Sequence, residues 1–211
     1  MKEYHKITTV YERDPATNFK TLLIGQFARP EFKYLASAEW AFTEKVDGTN
    51  IRIIWDGLKV VFGGKTDSAQ IYAPLIERLQ QLFYAGAMSQ IFGDSPACLY
   101  GEGYGAKIQK GGGNYKADGV EFTLFDVLVG DVWLERHNVE DIGNKLEVKC
   151  APILGTGTLL EGVNMAQQGF NSSWGDFPAE GLVMRPAVEM KDRLGHRVIA
   201  KIKHTDFTGK K

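Results

Sequence analysis

Lys45 stands in the run Glu44-Lys45-Val46-Asp47-Gly48-Thr49-Asn50, directly after the apolar stretch Trp40-Ala41-Phe42. A strand ending in a turn can hold an amine rigidly at the rim of a sheet, where it can act as a nucleophile rather than a solvated charge. Taken alone, the heptad fits a plainer description better, a hairpin turn with an exposed lysine, because Asp-Gly pairs suit tight turns. Four other segments carry reactive groups at strand edges. Glu102 ends Tyr100-Gly101-Glu102-Gly103, and Phe122-Thr123-Leu124-Phe125-Asp126 combines aromatics with an acid. Glu180 opens Gly181-Leu182-Val183-Met184-Arg185, and Lys201-Ile202-Lys203 puts two lysines on one face of a strand, since side chains alternate. Each is weak singly: a glutamate before glycine is usually a turn acid, and Lys-Ile-Lys usually an edge strand.

The elements that must position these groups follow from pattern and punctuation. Residues 1–35 are mixed, with Asp14-Pro15 and Arg29-Pro30 as loop markers. Ile51–Trp55 and Leu58–Phe62, separated by Asp56-Gly57, predict a hairpin with a two-residue turn. Leu75, Ile76, Leu79, Leu82 and Phe83 predict a helix over Pro74–Phe83, continuing or restarting toward Ile91. Strands are expected at Ala97–Gly101, Val120–Val129, Val132–Leu134, Gly181–Arg185 and Arg197–Lys203. Asn138 is expected to cap a short helix, and Thr158-Leu159-Leu160-Glu161 is a capping box opening another that Gly169 ends. Short hairpin-joined strands with helices between them predict an α+β fold rather than a doubly wound sheet.

The order of the five segments is more specific than any one of them: lysine, acid, aromatic strand, acid, paired lysines. Together they resemble the covalent nucleotidyltransferases, the superfamily of polynucleotide ligases and messenger-RNA capping enzymes, and within it the phage and nick-sealing type of ATP-dependent RNA ligase. Lys45-Val46-Asp47-Gly48-Thr49-Asn50 is similar to the first motif, Lys-x-x-Gly followed by Asn, where DNA ligases more often carry arginine. The likeness runs from about Glu39 to Phe207. It implies a nucleotidyltransferase (ATP-grasp-like) domain of antiparallel sheets flanked by helices, occupying 1–211 as a single domain.

It also implies a chemistry. Lys45 would attack the α-phosphorus of ATP, expel pyrophosphate and carry AMP through a phosphoramidate bond. An ordinary lysine, with a pKa of about 10.4, is protonated and inert, so the amine needs neighbouring cations or partial burial. Lys201, Lys203 and a Mg²⁺ (or Mn²⁺) ion would supply that field and offset charge on the phosphate. By the same resemblance Glu102 contacts the ribose, Phe125 stacks on adenine, Asn50 sits near the phosphate or ribose, and Lys201 and Lys203 hold the α-phosphate. Glu180, and with it Glu102, are the implied metal carboxylates, and Glu180 also serves catalysis. Lys65, in Gly63-Gly64-Lys65-Thr66, falls where these ligases carry an arginine, which keeps the charge without bidentate geometry. Glu44 is expected to approach adenine through its backbone. The glycine-rich Gly101–Gly113, with Lys107 and Lys110, suits either a mobile surface loop or a close approach to the triphosphate or RNA end.

Composition is that of an ordinary globular chain, 44% hydrophobic and 24% charged with a net charge of −1. Charge is uneven: residues 191–211 hold seven Lys/Arg against Asp192 and Asp206, a balance of +5 that leaves −6 elsewhere. That end suits either a solvated tail or a phosphate-binding surface. No run is long enough to span a membrane and no signal pattern opens the chain, so a cytoplasmic protein with no membrane partner is expected. Cys98 and Cys150 lack metal-ligand spacing and are expected to be reduced; the four histidines show no ligand spacing either.

The expected function is RNA ligation in RNA repair, joining a 5′-phosphate to a 3′-hydroxyl through lysyl-AMP and RNA-adenylate. Ligases of this superfamily usually carry a further OB or helical domain after the fifth motif. None is expected within 1–211, so the domain either works alone, relies on an accessory protein or oligomer in its place, or is restricted to a narrow substrate. The alternatives are the same chemistry on DNA or hybrid nicks, a GTP-using capping enzyme, and an inactive nucleotide- or RNA-binding module.

Overall fold

The computed structural model describes residues 3–209. From the amino terminus it forms β1 (Thr8–Thr9), β2 (Tyr11–Arg13), β3 (Leu22–Phe27), α1 (Pro30–Tyr34) and β4 (Trp40–Glu44). It continues through β5 (Thr49–Trp55), β6 (Val60–Gly63), α2 (Ala73–Leu82), α3 (Ala85–Phe92), β7 (Ala97–Gly105), α4 (Gly112–Tyr115), β8 (Val120–Val129), β9 (Val132–Trp133) and α5 (Arg136–Lys145). Then come β10 (Ile153–Gly157), α6 (Leu159–Gln168), β11 (Gly181–Pro186), β12 (Ala200–Lys203) and α7 (Thr205–Thr208). Contacts divide the chain into a unit of residues 6–46 with 152–209, which holds Lys45, and a unit of residues 3–5 with 47–151, which holds Glu102.

The Lys45 unit is built on a sheet of order β1-β12-β11-β4-β10, antiparallel except where β1 runs parallel to β12. Alternation buries Trp40, Phe42 and Glu44 on one face of β4. Leu159, Val163 and Ala166 of α6 pack there with Phe42, Leu182, Met184 and Ile202. The helix begins at the predicted capping box: Thr158 accepts from the Glu161 backbone N–H, and the Glu161 carboxylate accepts from Thr158 in return.

The Glu102 unit has a second antiparallel sheet, β6-β5-β7-β8-β9. Ile51, Ile53, Trp55, Leu99, Phe122, Leu124 and Val127 face Leu75 and Leu79 of α2, Met88 of α3, and Val139 and Ile142 of α5. A Cβ on Gly101 or Gly103 would strike Phe122 or Leu75, so both glycines lie on this core face. By alternation Tyr100, Glu102 and Tyr104 lie on the opposite face.

Most expected elements are present, and the fold is the expected α+β arrangement of antiparallel sheets flanked by helices. The differences have local causes. The Ile51–Phe62 hairpin turns over four residues rather than two: Trp55 pairs Val60, and Asp56 Oδ1 accepts from the backbone of both Leu58 and Lys59. Of the two turn residues, Gly57 adopts positive φ, so Asp56 caps the turn instead of joining a primed one. Helix α5 starts before Asn138, with Glu135 at its N-cap. Strand β12 begins at Ala200, because Arg197 is drawn into an ion pair with Glu189 and a bridge to Lys191. Asp47-Gly48 is not a hairpin turn, since β4 and β5 belong to different sheets. Lys210 and Lys211 of the basic carboxyl end lie outside the described residues. No helix among the described residues is long and apolar enough to cross a membrane.

Candidate active site

Register brings the reactive groups of the Lys45 unit to one end of three adjacent strands. Leu182 on β11 lies opposite Glu44 on β4, and Gly181 lies opposite Lys203 on β12. Lys45 just after β4, Glu180 just before β11 and Lys203 at the end of β12 therefore converge. The Lys45 backbone N–H donates to the Gly181 carbonyl at 2.9 Å, continuing the ladder one step past the strand. Lys45 Nζ lies 2.6 Å from Glu180 Oε2, and Lys203 Nζ lies 2.5 Å from Glu180 Oε1. The Lys45 side chain is 20% exposed and Glu180 11%, so the pair is sheltered but open at one side.

Gly181 makes that convergence feasible. It has φ +153°, and a Cβ there would run into the Ile202 carbonyl and Lys203 Cα. Lys201, opposite Val183, is two residues back along β12 and half-buried on the same face as Lys203.

Glu44 points the other way. Its carboxylate is buried and accepts from Ser172 Oγ (2.5 Å) and the Ser173 backbone N–H (2.8 Å), while its own N–H donates to the Pro152 carbonyl. A buried carboxylate requires such donors. The 172–174 loop is thereby fastened to the end of β4, just before Lys45.

In the Glu102 unit, Asn50 and Glu102 are register partners on β5 and β7. Asn50 Oδ1 is buried without a hydrogen-bond partner among the described residues, so it is an acceptor that a bound hydroxyl can satisfy. Lys65 is exposed on the loop after β6. That loop is pinned by Arg52, which is 1% exposed and donates from Nε to the Gly64 carbonyl (2.8 Å) and from Nη2 to Asp67 (2.7 Å). Phe125 occupies a bulge in β8: Tyr100 pairs Asp126 and Gly101 pairs Leu124, leaving Phe125 unmatched. Burial, followed by the neighbouring Cys98, pushes the Tyr100 phenol above its ordinary range, so it stays a neutral group.

The glycine-rich segment closes on the turn after Lys45. Gln109 Nε2 donates to the Gly48 carbonyl (3.1 Å), and the Asp47 N–H donates to the Tyr115 hydroxyl (3.3 Å). Gly48 has no room for a Cβ against the Gly103 carbonyl and Glu102 side chain. Lys107 and Lys110 are exposed on that segment. The structure thus unites Lys45, Glu180 and Lys203 in one hydrogen-bonded group, and Asn50 with Glu102 on paired strands. The sequence reading missed Ser172, Ser173, Arg52, Gln109 and Tyr115. Only Glu44 carried a signal: period-two alternation with Trp40 and Phe42 turns it toward the core, which demands partners.

Among the described residues no group of three or more His, Cys, Asp or Glu is placed to hold a metal. Both Glu180 oxygens face ammonium groups. That donor set does not make a protein cage, but it fits an ion of the Mg²⁺ kind that keeps its waters, takes phosphate oxygens and needs one carboxylate.

Solved structures of known proteins share this fold. A mutant of Naegleria gruberi RNA ligase with ATP and Mn matches at a TM-score of 0.67 and 18% identity, over 99% of this chain and 60% of that one. Another mutant of the same ligase, with AMP and Mn, matches at 0.67 and 19% identity, over 97% and 57%. The ligase with PPi matches at 0.66 and 19% identity, over 98% and 61%. The fold is therefore that of these RNA ligase structures, and the chain spans about 60% of their length. The family model for RNA ligase matches residues 38–203, across both units. The chain belongs to the RNA ligase family.

Proposed function

We propose that this protein is an ATP-dependent RNA ligase that adenylylates itself on Lys45 and joins 5′-phosphate to 3′-hydroxyl RNA ends. The observation that carries the reading is the Lys45–Glu180–Lys203 group at the common end of β4, β11 and β12. A binding module has no need of an amine aimed at a carboxylate that a second lysine also holds.

In the first step Lys45 Nζ forms a bond to the α-phosphorus of ATP while the bond from that phosphorus to the bridging oxygen breaks, releasing pyrophosphate. The amine gives up a proton, and Glu180 Oε2 at 2.6 Å is the acceptor within reach. Lys203 and Lys201 offset the charge on the α-phosphate; positioning and neutralisation do most of the work in such transfers. Glu180 would be the protein ligand of a Mg²⁺ or Mn²⁺ ion, which when bound supplies further positive charge to the triphosphate. Asn50, Lys65, Glu102 and Phe125 are the proposed nucleotide contacts, with Glu44 bracing the strand that presents Lys45. AMP then passes to the RNA 5′-phosphate, and the 3′-hydroxyl displaces it.

The test is covalent labelling. The protein is incubated with Mg²⁺ and α-labelled ATP or GTP, denatured, and inspected for label on the chain. An AMP adduct absent in Lys45→Ala is expected. No adduct with any nucleotide sinks the enzyme reading, and GMP transfer indicates a capping activity. Competition among nicked RNA, nicked DNA and single-stranded RNA then identifies the acceptor.

A further inference from the structure

The first described residues, Glu3–His5, belong to the Glu102 unit although residues 6–46, which follow them, do not. Tyr4 is 8% exposed. Its hydroxyl donates to Asp126 Oδ2 at 2.7 Å. Its ring meets Phe125 edge-on, with centroids 5.2 Å apart at 72°, and also packs on Tyr100 (5.0 Å) and Trp133 (5.8 Å). His5 stacks on Tyr4 at 4.5 Å. Glu3 Oε1 accepts the Asp67 N–H at 3.2 Å, in the loop that carries Lys65.

This contact set coincides with the bulge in β8. A bulge frees one residue from the ladder and re-aims its side chain, so the attitude of Phe125 is not fixed by strand pairing. Phe125 and Asp126 lie opposite the helix-packed core, so α2, α3 and α5 do not fix it either. Tyr4 holds both at once, one by ring contact and the other by its hydroxyl. An ordinary core tyrosine would fill space among core side chains; this one reaches from the start of the chain to the bulged Phe125 and its neighbour Asp126.

We propose that Tyr4 is a positioning residue that sets the ring of Phe125 for the nucleotide base, with Glu3 steadying the Lys65 loop beside it. The proposal rests on the reading of Phe125 as the adenine-stacking aromatic. Tyr4 touches no reacting atom. Its effect falls on nucleotide affinity, because a misaimed stacking ring weakens binding of the base in ground and transition states alike.

The experiment measures lysyl-AMP formation against ATP concentration for wild type, Tyr4→Phe, Tyr4→Leu, Phe125→Leu and the double Tyr4→Leu/Phe125→Leu, all below their melting temperatures. Tyr4→Leu is expected to raise KM for ATP about 3–10-fold with kcat within about twofold. Tyr4→Phe, which keeps the ring and loses the Asp126 bond, should fall between it and wild type. The double variant should be no weaker than Phe125→Leu alone, since two residues acting as one unit are not additive. If Phe125→Leu raises KM and Tyr4→Leu does not, the positioning role is overturned while the stacking reading stands. If Phe125→Leu leaves KM unchanged, the stacking reading fails and the proposal with it. Should Tyr4→Leu fail to fold, Tyr4→Phe decides: a KM equal to wild type overturns the proposal. A fall in kcat without change in KM does so for either variant.

Discussion

Glu44 buries its carboxylate against Ser172 and Ser173, and the next residue, Lys45, extends its amine to Glu180. One residue fastens the strand end and its neighbour presents the proposed nucleophile. Glu44→Gln keeps the size but sets an amide N–H₂ against donors that need an acceptor. A buried group left mispaired costs about 1–3 kcal/mol, which in a chain of this size lowers Tm by about 2–12 °C. Thermal melts should show that loss, with a smaller one for Ser172→Ala. A Glu44→Gln protein as stable as wild type would remove the anchoring role.

Glu180 is shared by two lysines, so its removal should cost chemistry more than stability. Glu180→Gln is expected to lower the rate of adduct formation by about 10²–10³-fold, the usual effect of losing one preorganised polar group. Lys203→Ala should slow the same step, and the double variant should fall short of the sum, because the two act through one carboxylate. Single-turnover labelling at saturating ATP reads all three. Full rate in Glu180→Gln would exclude the carboxylate from the mechanism.

Gly181 is where a side chain is least tolerated. Gly181→Ala puts a Cβ into the Ile202 carbonyl and Lys203 Cα, so β11 must part from β12. Destabilisation of about 2–4 kcal/mol is expected, as for other changes that force backbone apart. The chemical-denaturation midpoint checks the stability, and labelling of the folded fraction checks whether Lys203 still reaches Glu180. An alanine variant with an unchanged midpoint would contradict the close β11–β12 contact.

Local pattern disclosed much of this arrangement. The capping box at Thr158 and Glu161, the β8 strand and the α+β class follow from short-range rules that the structure obeys. The order of Lys45, Glu102, Phe125, Glu180 and the paired lysines pointed to the family. What stayed hidden depends on long-range register. Glu180 lies 135 residues from Lys45, and their 2.6 Å approach exists because β11 pairs with β4 on one side and β12 on the other. The Glu44–Ser172 bond and the Tyr4–Asp126 bond span 128 and 122 residues and leave no trace in periodicity. Gln109, in a loop, and Tyr115, at the end of the short α4, follow no repeating pattern, and their link to Gly48 and Asp47 is set by the packing of the segment.

Tyr100 yields a pH signature of its burial. Burial first, then its hydrogen bond with Cys98, raises its phenol above the ordinary value. The folded protein thus holds this proton more tightly than the unfolded chain does. The stability this contributes is complete below the unfolded value of about 10 and is lost as pH climbs through the higher folded value. Alkaline titration of wild type and Tyr100→Phe, followed by phenolate absorbance, reads this group. The increment absent from Tyr100→Phe should arise only as near-UV circular dichroism collapses. Tyr100→Phe should also unfold less steeply with rising pH, since it lacks the group whose ionisation drives the loss. A Tyr100 increment that develops near pH 10 in the still-folded protein would show an open phenol, and with it a looser Tyr4–Tyr100–Phe125 cluster than the structure describes.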